Sequence, residues 1–150
     1  LRFIGRFGNE VHEMFQSTSF SSSIEVIGYV PHEKSISYLL VSDVLLLIVD
    51  EAKESEEIVP GKVYEYIGSF KPVIAIAPMQ GAIADLMNET KAGGIAHQSD
   101  IEGIARIILE MYRAFKEGRS LAQPNIEAIK SYERRESTRK LAHLLDAHQS

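Results

Sequence analysis

The sequence predicts an α/β fold in which a doubly wound parallel sheet is followed by a helical tail. Two observations carry that expectation. Short apolar, β-branched runs alternate along the chain with segments of helical period, and the runs are continuous rather than alternately polar. Continuous apolar strands joined through helices imply a parallel sheet covered on both faces and built with right-handed crossovers. That is a Rossmann-like arrangement. The switch to a wholly helical pattern after Gly118 supplies the tail.

Taken in order, residues 1–5, 25–30, 44–49, 73–77 and 94–97 read as five buried strands. Residues 10–16, 33–41, 62–69, 82–89 and 101–116 read as the helices between and after them. The serine cluster at 17–23 reads as an exposed loop, and Gln123-Pro124-Asn125 breaks the tail ahead of a segment carrying Leu141, Leu144 and Leu145. No internal repeat is present.

A length of 150 residues with 45% hydrophobic content suits one domain with its own core. Cysteine is absent, which excludes disulfides and thiolate zinc sites and suits a cytoplasmic setting. The longest aliphatic run, 44–49, is far short of the roughly twenty residues that span a bilayer. The chain opens at Leu1 inside an apolar segment, so a longer parent protein is expected. Net charge is −5, with 15 acidic against 7 basic residues over 1–105 and 6 against 9 over 106–150. Such a balance disfavours nucleic acid as a partner, because phosphate neutralisation needs clustered Lys and Arg. The basic tail is either a solvated helix face or a contact with anionic lipid.

The most informative stretch is 57–77. Glu57 and Glu65 stand eight positions apart across a Pro60-Gly61 turn, and a short helix then leads into the strand that begins Pro72-Val73-Ile74. With Ile-Gly-Tyr-Val-Pro at 27–31, Ser-Asp-Val-Leu-Leu-Leu at 42–47 and Gly-Ala-Ile-Ala-Asp-Leu-Met at 81–87, this stretch resembles the C-terminal, nucleotide-sugar-binding half of retaining GT-B glycosyltransferases of the group 1, or family 4, type. The resemblance covers residues 1–146. It implies a donor-binding domain of a two-domain hexosyltransferase working in polysaccharide or glycolipid synthesis, with an N-terminal acceptor domain as partner. It also implies a UDP- or GDP-type sugar donor, no bound metal or cofactor, and a cytoplasmic protein peripheral to the inner membrane face. Position by position, Glu65 would hold the ribose hydroxyls and Glu57 the hexose. Val30, Pro31 and His32 would meet the base, and Gly61 and Val63 would line the donor. Many members carry Pro-Phe-Gly directly after the first glutamate, whereas Ile58-Val59-Pro60-Gly61-Lys62 follows here, and Glu54 and Glu56 leave the register of that glutamate open.

Chemistry gives the same loop a role. Open parallel sheets bind ligands beyond the carboxyl ends of their strands, near a point where strand order reverses. A Pro-Gly turn before a helix offers unpaired amides to a diphosphate, and Lys62 adds a positive charge that would assist departure of the leaving group. The plainer reading of Lys62 and Glu65 is a surface pair three apart on a helix, worth a few tenths of a kcal/mol. Tyr64 and Tyr66 read as packing residues, and Asp43 as structural at a helix-to-strand turn. Gly5-Arg6-Phe7-Gly8 lacks the full dinucleotide fingerprint, and the histidines lack metal-ligand spacing. The competing functions are a nucleotide-sugar 2-epimerase of the same architecture, a noncatalytic scaffold, and a phosphoacceptor receiver built around Asp50. The last lacks the acidic residues after its first strand and the lysine after its fifth.

Overall fold

A computed structural model describes residues 1–49, 59–119 and 122–147. Each strand and helix expected before Gly118 is present, shifted at its ends by up to three residues. The strands are β1 (Arg2–Ile4), β2 (Glu25–Ile27), β3 (Leu45–Ile48), β4 (Val73–Ile76) and β5 (Gly93–Ala96). The helices are α1 (Asn9–Ser17), α2 (His32–Val41), α3 (Lys62–Gly68), α4 (Ala82–Thr90), α5 (Ile101–Lys116), α6 (Ile126–Ser131) and α7 (Arg134–Ala147). Within the serine cluster, Ser21–Ser23 forms a 3-10 turn.

Strands pair in parallel within each part of the chain. The chain divides into two compact units, Leu1–Val41 and Ser42–Ser150, and the strands form two parallel sheets, β1-β2 and β3-β4-β5. The first two strands are short for local reasons. Gly5, at φ +145°, turns the chain out of β1, and Gly28 ends β2 ahead of the Tyr29-Val30-Pro31 segment, where proline removes an amide donor.

In the N-terminal unit the ladder runs from Arg2 opposite Glu25 to Ile4 opposite Ile27, and Gly5 donates its N–H to the Ile27 carbonyl at 3.0 Å. Arg2 Nε meets Glu25 Oε2 at 2.7 Å, and its guanidinium lies 5.3 Å from the centre of the Tyr38 ring. Beside the ladder Phe3 stacks on Phe15 at 4.5 Å, with Phe7 edge-on to both.

The C-terminal unit holds the larger core. Leu45 pairs with Val73 and Ile48 with Ile76, while Val73 pairs with Gly93 and Ile76 with Ala96. Leu47, Val73 and Ala75 are wholly buried. Ile74 shares a hollow with Ile108, Met111, Tyr112 and Phe115, so α5 covers its side of the sheet. Gly94 lies on the same side: a Cβ there would come within 2.9 Å of the Ile107 side chain. The opposite side, bearing Leu47 and Ala75, is left to α3 and α4, which right-handed crossovers carry to one face. Those helices bury Val63, Ile67, Ile83, Leu86 and Met87. Strand order within this sheet runs in one direction, so its three strands alone contain no reversal of the doubly wound kind.

The tail is tied down by backbone geometry. Asn125 donates its N–H to the Thr90 carbonyl at 2.7 Å, and its side chain accepts from Ala128 at 3.2 Å to cap α6. Thr90 is fully buried, with its hydroxyl returned to the Leu86 carbonyl at 2.7 Å. The tail segment thereby brings α6 against α3 and α4.

Candidate functional site

Helix α3 begins after β3 and ends at Gly68, a few residues before β4 starts at Val73. Seven residues of helix rise about 10 Å, so its first residue sits toward the carboxyl edge of the sheet. The loop Pro78–Gly81 leaves β4 at the same edge. Gly61, Tyr64 and Glu65 line one wall of a hollow of about 630 Å³, and Tyr132, Glu133, Arg134 and Ser137, from α7 and the turn before it, line the other. Glu65 is half-buried there.

The second wall is held by one tyrosine. Tyr132 donates its hydroxyl hydrogen to Glu89 Oε2 at 2.6 Å, and its ring lies 5.9 Å from that of Tyr64. The hydrogen bond to Glu89, followed by burial and nearby negative charge, pushes the phenol up from 10.0 to about 12. Tyr66, on the same helix as Glu65, is also raised, first by burial and then by the Glu65 carboxylate.

The structure separates the residues assigned from sequence. Gly61, Tyr64 and Glu65 share the hollow. Lys62 is exposed and is not among the residues lining it. Val63 is buried, at 0% exposed, and its N–H donates to the Pro60 carbonyl at 2.9 Å. The Tyr64 amide donates to the Gly61 carbonyl at 3.3 Å. Two of the amides expected to stand open to a diphosphate are therefore engaged, because Gly61 adopts helical angles and continues the turn upstream. Glu57, with Asp50, Glu54 and Glu56, lies outside the described residues.

In the N-terminal unit, Val30 and His32 line a separate hollow of about 290 Å³ with Ile4, Gly5, Tyr29 and Ser35. Pro31 is exposed, and its carbonyl accepts from Ser35 N–H at 3.0 Å as α2 begins. Arg6 stacks over the Tyr29 ring at 5.3 Å, at the same end of β1 and β2.

Sequence reasoning missed Tyr132 and Arg134. The helical break at 123–125 signalled a change of direction, but no spacing links those residues to Glu65. Among the described residues, no group of three or more His, Cys, Asp or Glu is gathered, and no helix is long and apolar enough to cross a membrane.

Neither the protein-family models nor the curated proteins compared with this sequence match it. Function is therefore read from the chemistry of the hollow. Its described lining offers two carboxylates as hydrogen-bond acceptors, a serine hydroxyl, two aromatic rings and one guanidinium. A ligand with a ring and several hydroxyls, carrying an anionic group, complements that set.

Proposed function

We propose that this chain is the donor-binding domain of a retaining hexosyltransferase with a doubly wound, GT-B-type architecture. It holds a nucleoside-diphosphate sugar of UDP or GDP type for transfer to an acceptor bound by a further domain, at the cytoplasmic face of the membrane. The observation that carries the reading is that Glu65, near the start of the helix that follows β3 of a parallel sheet, lines a hollow with Gly61 and two tyrosines. A carboxylate in that position accepts hydrogen bonds from the two vicinal hydroxyls of a ribose.

In this reading Glu65 fixes the nucleoside and Glu57 recognises the hexose. Lys62 is exposed on the first turn of α3, where its flexible stem lets the ammonium approach charge developing on the departing diphosphate. Backbone amides contribute less than the sequence suggests, since those of Val63 and Tyr64 already have carbonyl partners.

The test begins with thermal shift against UDP, GDP, ADP and CMP, because a ligand selective for the folded state stabilises it. Stabilisation by UDP or GDP is expected. Calorimetry should then show Glu65→Gln losing roughly 1.5–3 kcal/mol, or about one to two decades in affinity, for the plain nucleoside diphosphate. A folded Glu65→Gln protein that binds as tightly as wild type would return Lys62 and Glu65 to ordinary surface chemistry. Failure of all four nucleotides to stabilise the chain would favour a noncatalytic scaffold.

A further inference from the structure

The sequence offers Lys62 as the cation of the Glu65 site, yet Lys62 does not line the hollow. Among the described residues that do, the cation is Arg134, from the far end of the chain. We propose that Arg134 is the anion-contacting residue of this site and makes it select a phosphorylated nucleoside over the neutral nucleoside. The proposal deepens the donor-site reading and rests on it.

Charge balance favours Arg134 first. Among the described residues that line the hollow, Glu65 and Glu133 are acidic and Arg134 is basic, so a phosphate entering it finds opposite charge beside Arg134. Among the described lining groups, the carboxylates suit hydroxyls and the guanidinium suits an anion. Its planar fork of donors matches two phosphate oxygens at once, which a lysine ammonium does not.

Positioning favours it as well. Arg134 follows Tyr132 by two residues, and Tyr132 is anchored to α4 through Glu89 and set against α3 through Tyr64. The Ser137 amide donates to the Glu133 carbonyl at 3.0 Å, which fixes the first turn of α7 around Arg134. The backbone carrying the guanidinium is thus held on the same frame as Glu65. Arg134 itself remains exposed, so its charge incurs little desolvation before a ligand arrives.

The experiment compares UDP and GDP, by calorimetry, with uridine and guanosine, by ligand-observed NMR at millimolar concentration. The proteins are the 150-residue chain, Arg134→Gln, Arg134→Lys and Glu65→Gln, each checked for folding by circular dichroism. Arg134→Gln is expected to bind the preferred diphosphate about tenfold more weakly, to flatten the dependence of its Kd on salt, and to leave nucleoside binding unchanged. Arg134→Lys should recover part of the loss, and Glu65→Gln should weaken diphosphate and nucleoside alike. If Glu65→Gln is impaired while Arg134→Gln binds diphosphate like wild type, the role of Arg134 is overturned and the donor-site reading stands. Equal loss of nucleoside and diphosphate in Arg134→Gln would overturn it too, as the mark of a structural role. If wild type binds no nucleoside diphosphate, the donor-site reading fails and the role of Arg134 falls with it.

Discussion

In the three-stranded sheet, Leu47, Val73 and Ala75 are sealed from water, whereas no residue of the two-stranded sheet is fully buried. The contrast follows from composition. The C-terminal unit supplies aliphatic runs flanked by helices that cover both sides, and the N-terminal unit relies on Phe3, Phe7 and Phe15, which keep part of their surface in solvent. Helix starts divide less cleanly, since α3 and α4 begin after Gly61 and Gly81 without a side-chain cap. Asp100 accepts from the Gly103 amide at 2.8 Å to cap α5, and Asn125 caps α6, while α1 starts from Gly8 with no side-chain cap. Aliphatic burial, which grows with area removed from water, therefore concentrates stability in the unit that carries Glu65.

The largest expected effect tests that contrast directly. Leu86→Ala, at a position 2% exposed, should destabilise the β3-β4-β5 unit by about 2–5 kcal/mol. Phe15→Ala should cost its own unit only about 1–2 kcal/mol, since the ring is half-buried to begin with. Hydrogen exchange of the β4 and β1 amides reports the two separately. A larger loss from Phe15→Ala than from Leu86→Ala would reverse the ranking.

A smaller effect is expected at the wall of the candidate site. Tyr132→Phe removes the hydrogen bond to Glu89 and should cost about 1 kcal/mol in denaturant unfolding. Its pH dependence has a definite sign. Folding favours the neutral phenol, raised from 10.0 to about 12, so this contribution is intact below pH 10 and is lost as pH rises toward 12. In Tyr132→Phe that part of the alkaline loss should vanish, and absorbance titration should show one fewer late-ionising tyrosine.

The smallest effect would narrow the difference between the units. Gly8 has extended angles (φ −67°, ψ 159°), and a Cβ there meets nothing within 4 Å. Gly8→Asp should accept the open amides of α1 and stabilise the N-terminal unit by a few tenths of a kcal/mol, measured as a rise in Tm. No gain, or a loss, would show that the missing cap does not limit this unit.

The sequence by itself determined which segments become strands and helices, and that Glu65 lies on a short helix after a Pro-Gly turn. Those features are local: apolar period, turn chemistry and helix breakers act over a few residues, as the agreement along α5 at Ile101–Lys116 illustrates. Pairing is not local. Which strands become neighbours, β1 with β2 and β4 with β3 and β5, depends on hydrogen bonds between distant segments, and apolar runs of similar composition do not specify their neighbours. The same holds at the candidate site. Only tertiary packing decided that Val63 faces the core, that its amide is engaged by Pro60, and that Tyr132 and Arg134 complete a hollow begun by Glu65. The physical reason is that a side chain's neighbours across the fold are set by how helices pack onto the sheet, which local spacing leaves open.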